Sequence, residues 1–81
     1  MARGENNMNC VDKKLLKYVP AKLRQYCVWL DKETDYYDKR KNTYYAIFEK
    51  DNKEYSSDYV DSVSELTWNC KQILEEMEKN K

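Results

Sequence analysis

The chain has 81 residues, 37% of them charged, with 15 basic and 15 acidic side chains and a mean hydropathy of −1.11. That length leaves room for one domain with a small core, and a net charge of zero sets it apart from the basic chains that bind nucleic acid or anionic membranes unspecifically. Eight Tyr, two Trp and one Phe supply the large apolar area that disordered chains lack, so a folded domain is expected.

Residues 1–10 are polar, hold the only glycine, Gly4, and are expected to form a flexible leader. A single domain then occupies 11–78, and 79–81 form a frayed tail. Val11 to Tyr18 places Val11, Leu15, Leu16 and Tyr18 among Lys13, Lys14 and Lys17, a basic amphipathic turn that Asn9 or Asp12 can cap. Pro20 interrupts it and suits the first turn of a second short helix, Ala21 to Arg24. Tyr26-Cys27-Val28-Trp29-Leu30 is an aromatic and β-branched run that predicts a strand. Tyr26, Val28 and Leu30 would lie on one face and Cys27 and Trp29 on the other, with the charges Asp31, Lys32 and Glu33 ending it. Thr34 to Asn42 shows no period and is expected to be a long exposed connection.

A β-hairpin follows, Thr43–Lys50 and Lys53–Val60, joined at Asp51-Asn52, two residue types that tolerate positive φ. In the first arm Tyr44, Ala46 and Phe48 share one face and Tyr45 and Ile47 the other, which suits a central strand. In the second arm Tyr55, Ser57 and Tyr59 alternate with Glu54, Ser56 and Asp58, the pattern of an edge strand with one wet face. Ser62-Val63-Ser64-Glu65 then matches a capping box. From there Val63, Leu66, Cys70, Ile73, Leu74 and Met77 form one helical stripe, with charges from Glu75 onward expected to fray. Trp68 falls roughly 170° from the centre of that stripe at ~3.6 residues per turn. Either the N-terminal segment covers it through Leu15, Leu16 or Val19, or it anchors a partner or a second copy in a homodimer.

The chemistry is limited by what is missing. There is no histidine, which removes the commonest general base and metal ligand, and one glycine cannot build a phosphate-cradling loop. Cys10, Cys27 and Cys70 lack zinc or disulfide-framework spacing. Cys27 and Cys70 suit small buried positions, and Cys10 an exposed thiol open to adventitious pairing. The acidic pairs Asp35 with Asp38 and Asp58 with Asp61 suit a solvated surface. No catalytic residue, metal or cofactor is assigned, and a non-enzymatic role is expected. Apolar runs are too short to cross a bilayer and no signal-peptide core opens the chain, so a cytoplasmic location is expected.

Charge is unevenly spread. Residues 1–30 carry six basic and two acidic side chains, whereas 31–65 carry six basic and ten acidic ones. Tyrosines concentrate in that acidic half, where cross-strand pairing is the ordinary role for most and a rigid amphipathic binding surface the role for those left outside. Acidic surroundings make nucleic acid the less favoured partner of these rings. The candidate contact residues for a protein partner are Tyr36, Tyr37 and Asp38 in the connection, Asp51 at the turn, Asp58 on the edge strand and Trp68 on the helix.

With Lys17-Tyr18-Val19-Pro20 followed by strand, hairpin and helix, the chain resembles the small accessory proteins of bacteriophages and mobile elements in size, composition and layout over residues 11–78. That resemblance implies binding to a host protein, as in anti-defence inhibitors including anti-CRISPR proteins. The layout is also similar to the arm-site DNA-binding domains of tyrosine integrases. That likeness would use Lys39, Arg40, Lys41, Lys50 and Lys53 as phosphate contacts, although Glu49, Asp51, Glu54 and Asp58 depart from a basic sheet. The expected fold is α+β: a short N-terminal helical segment, a three-stranded antiparallel sheet and one C-terminal amphipathic helix packed on it.

Overall fold

In the computed structural model residues 11–79 are described; the leader assigned to 1–10, with Cys10, and the last two residues of the expected tail lie outside them. Pro20 divides the N-terminal segment as its ring requires, with Val19 held extended before it (φ −100°, ψ 131°). Upstream, Asp12 Oδ1 accepts the Lys14 N–H at 2.9 Å and opens a 3-10 helix, Lys13–Tyr18; downstream, α1 is one turn, Ala21–Arg24. Leu15, Val19 and Leu23 are the buried side chains of this segment.

Three antiparallel strands follow, β1 (Cys27–Thr34), β2 (Asn42–Lys50) and β3 (Lys53–Ser56), in the order β1-β2-β3. The strand with two apolar faces, β2, is indeed central. Asp51 and Asn52 both adopt positive φ, 53° and 66°, the two-residue turn whose twist matches that of the flanking strands. The C-terminal helix α2 spans Val63–Lys79. Ser62 Oγ accepts the Glu65 N–H at 3.2 Å, and the Glu65 carboxylate returns to the Ser62 hydroxyl at 3.5 Å.

The core lies between one sheet face and the helices. Leu30, Ala46 and Phe48 meet Leu66, Cys70, Ile73 and Met77 of α2, and Leu15, Val19 and Leu23 close one end. Each large side chain fully buried there contributes roughly 1.5–3 kcal/mol. Thr67 Oγ1 donates within 2.7 Å of the Tyr18 carbonyl, which docks the N-terminal segment along α2.

Four expectations need correction. The charges Asp31, Lys32 and Glu33 do not end β1, which pairs with β2 as far as Thr34 opposite Asn42, leaving a shorter connection, 35–41. Cys27 does not share a face with Trp29. The register passes from Cys27 opposite Phe48 to Trp29 opposite Ile47, so one extra β1 residue flips the alternation and turns Cys27 to the core side. Tyr59 does not share a face with Tyr55, for a related reason given below. Finally, α2 stays helical through Glu75 and Glu78 to Lys79.

Candidate functional site

All the described helical elements pack on the Phe48 side of the sheet, so among the described residues no helix covers the opposite, open side. Strand register assigns its residues: Trp29, Asp31 and Glu33 from β1; Thr43, Tyr45, Ile47 and Glu49 from β2; Glu54 and Ser56 from β3. Charge is fully segregated across the sheet. Among the residues of the three strands, the open side holds four carboxylates, Asp31, Glu33, Glu49 and Glu54, and no Lys or Arg, whereas Lys32, Lys50 and Lys53 all occupy positions of the helix side.

A local departure from regular pairing adds a further ring. At the end of β3, Ser57 is buried; its N–H donates to the Ala46 carbonyl at 2.8 Å and its Oγ accepts the Ala46 N–H at 2.9 Å. The chain rejoins β2 at Val60, which exchanges backbone hydrogen bonds with Tyr44 at 2.8 and 3.1 Å. Three steps from Ser57 to Val60 therefore match two from Ala46 to Tyr44. That extra residue reverses the alternation, so Val60 enters the core and Tyr59 turns to the open side. There its ring stacks on Tyr45, centroids 4.3 Å apart and planes 9° from parallel.

The result is a groove of about 270 Å³ lined by Trp29, Asp31, Glu33, Tyr45, Ile47 and Tyr59, with Thr43 at its end. Trp29 is 39% and Tyr59 68% exposed, large apolar area for a free sheet face. Tyr59 also lines a second, more open groove together with Asp58, Glu65, Trp68 and Asn69. One aromatic band thus runs from Trp29 through Tyr45 and Tyr59 to Trp68, with acidic margins.

Of the residues singled out in the sequence, Asp58 and Trp68 do come together, in that second groove. The Asp58 N–H donates to Asn69 Oδ1 at 3.0 Å, and Trp68 is 62% exposed. The expected cover is not formed: Leu15 and Val19 are in the core and Leu16 packs against it, leaving Trp68 largely exposed. Tyr36 and Tyr37, exposed and edge-to-face at 5.0 Å, stand on the β1–β2 connection outside either groove. That connection is held by Asp35, whose Oδ1 accepts the Tyr37 and Asp38 N–H groups at 2.7 and 3.0 Å. These bonds, with Lys41 nearby, keep the Asp35 carboxyl below the usual carboxylate range. Asp38 pairs with Arg40 at 3.3 Å. Asp51, in the β2–β3 turn, sits at the far end of β2 from that connection and joins neither group.

Trp29, Tyr45, Ile47, Asp31 and Glu33 were not singled out by sequence reasoning. Their signal is the alternation Trp29-Asp31-Glu33 and Thr43-Tyr45-Ile47, legible once β1 is known to continue past its charges. Among the described residues no three His, Cys, Asp or Glu side chains are placed to hold a metal ion, and no helix is long and apolar enough to cross a membrane. Compared with known proteins, the chain matches no family model, no curated protein and no solved structure.

Proposed function

We propose that this chain is a non-catalytic, protein-binding accessory or inhibitor protein of a phage or mobile element, acting in the bacterial cytoplasm by docking a host protein, of the anti-defence kind, on its open sheet face. The observation that carries the docking reading is the set Trp29, Tyr45 and Tyr59 on the sheet face that no described helix covers, framed by carboxylates and continued past Tyr59 to the exposed Trp68 on α2. Rigid aromatic side chains with exposed apolar area are the usual anchors of protein interfaces. The accessory role and origin follow from the resemblance in size, composition and layout described above.

The DNA-binding alternative finds less support on this face. A phosphate backbone laid on it would meet Asp31, Glu33, Glu49 and Glu54 with no cation among them. Lys50 and Lys53, two of the residues that alternative would use, sit instead over the rings of Tyr26 and Tyr55 on the other side.

The test is capture from bacterial lysate by the immobilised chain, wild type against Trp29→Ala/Tyr59→Ala, with matched circular dichroism and urea midpoints. Loss of two interface anchors is expected to reduce recovery of a specific protein by about tenfold or more. Equal recovery of the same proteins by both forms would refute docking on this face.

A further inference from the structure

The open face holds like charges against one another. Glu49 stands directly opposite Glu54 across β2 and β3, and Asp31 and Glu33 are successive positions on the same side of β1. Directly opposed like charges destabilise a sheet. The next pair along the same two strands, Lys50 opposite Lys53, has the same problem on the helix side and a local remedy. Each ammonium there lies over a ring, Lys50 over Tyr26 at 5.4 Å and Lys53 over Tyr55 at 5.3 Å. Among the described residues the carboxylates have no cation beside them, and Asp31 Oδ1 accepts only the Lys32 N–H, at 2.8 Å. Ion pairs among the described residues join Lys22 to Glu78 and Arg40 to Asp38, both away from the open face.

Resting on the docking reading above, we propose that the occupant of this face is a basic segment of a protein partner, one of whose arginine side chains lies in the groove between Trp29 and Tyr59 with its guanidinium on Asp31 and Glu33. Complementarity of charge requires a cation, and the lining selects the kind. A guanidinium is planar, stacks on aromatic faces, presents a fork of donors to carboxylates and is less strongly hydrated than an ammonium. The parallel rings of Tyr45 and Tyr59 give it a flat aromatic flank beside Trp29, and Asp31 and Glu33 line the same groove. At about 270 Å³ the groove falls below the roughly 300–1,000 Å³ of sites for drug-sized ligands, so one long side chain is nearer its size than a cofactor. A second copy of this chain fits poorly, because it would set four carboxylates against four.

The probes are three short peptides of identical length in which valine alternates with arginine, with lysine, or with citrulline, which keeps the shape of arginine without its charge. Each is titrated at low salt into the whole isotope-labelled chain and followed by proton–nitrogen correlation spectra. The arginine peptide is expected to shift the Trp29 indole N–H and the amides of Asp31, Glu33, Tyr45 and Tyr59, and to bind several-fold more tightly than the lysine peptide. Asp31→Asn/Glu33→Gln is expected to weaken it about five- to tenfold, the scale of two exposed charge contacts, and Glu75→Gln/Glu76→Gln on α2 to leave it unchanged. Shifts spread over every acidic surface, equal weakening by the α2 variant, or no binding by the arginine peptide would overturn the proposal. Should the citrulline peptide bind the groove as well as the arginine peptide, the cationic inference fails while docking on this face stands. The lysate comparison tests the latter separately.

Discussion

Tyr59 lies flat on Tyr45 across the open side of the sheet, 4.3 Å between ring centroids and 9° between planes. Strict alternation from Tyr55 would have put Tyr59 on the core side, so the stack exists only because one extra residue separates Ser57 from Val60. An aromatic pair contributes about 0.5–1.5 kcal/mol beyond its area burial. A double-mutant cycle of Tyr45→Ala and Tyr59→Ala, read from urea unfolding, is expected to return a coupling energy in that range, at its lower end because Tyr59 is largely exposed. Strict additivity would mean that the rings do not support one another in solution.

Ser57 is the residue that makes this reversal possible. Its hydroxyl accepts the Ala46 N–H where the ladder would otherwise supply a carbonyl, and donates its own O–H to the Asp58 carbonyl at 3.0 Å. Ser57→Ala leaves a buried backbone donor unpaired, which costs about 1–3 kcal/mol. The urea midpoint is expected to fall accordingly with an unchanged slope. A loss under about 0.5 kcal/mol, within the usual range of surface substitutions, would show that the chain repairs the bond another way.

Cys70 in the core and Cys27 packed against it make a prediction about alkaline pH. Burial pushes the Cys27 thiol up to about 11 and the Cys70 thiol up to about 12, from an ordinary 9.0, with the nearness of Cys27 adding to the effect on Cys70. A folded value above the unfolded one means that unfolded chains lose the proton first. The contribution is therefore complete below the unfolded value and is lost as pH rises through it toward the folded one. The urea midpoint is expected to fall with pH above 9, and to fall less steeply in Cys70→Ala. Below that pH, alkylation of Cys70 by iodoacetamide, located by peptide mapping, is expected to be far slower in the folded chain than in urea. Equal rates in the two states would show that the thiol is not held in the core.

The parts of the fold legible in the sequence are those where a local cue and a periodic pattern agree. The capping box at Ser62 and the stripe from Leu66 to Met77 give α2, and Asp51-Asn52 between apolar runs gives the hairpin. The site was harder to read because two inserted residues reverse side-chain alternation without any compositional mark. The bulge between Cys27 and Trp29 moves Cys27 inward, and the one after Ser57 moves Tyr59 outward. The run Asp31-Lys32-Glu33 misled for another reason. It looks like the polar end of a strand, yet it keeps period two, with both acids on the open side and the lysine on the other. Trp68 was recognisable because a helix wheel carries no such register ambiguity.

Opposition of Glu49 to Glu54 allows stability and binding to be separated in one substitution. Both carboxylates are exposed on adjacent strands and face each other across the ladder. Glu54→Lys replaces repulsion by attraction, and cross-strand charge pairs are worth about 0.2–1 kcal/mol. The variant is expected to be more stable than wild type by a few tenths to about 1 kcal/mol at low salt, with the gain fading as salt screens it. It also places a cation on the face where the partner's cations are proposed to dock, so the arginine peptide is expected to bind it more weakly. Unchanged or reduced stability in Glu54→Lys at low salt would show that the two carboxylates are already screened by solvent and that the face carries no such tension.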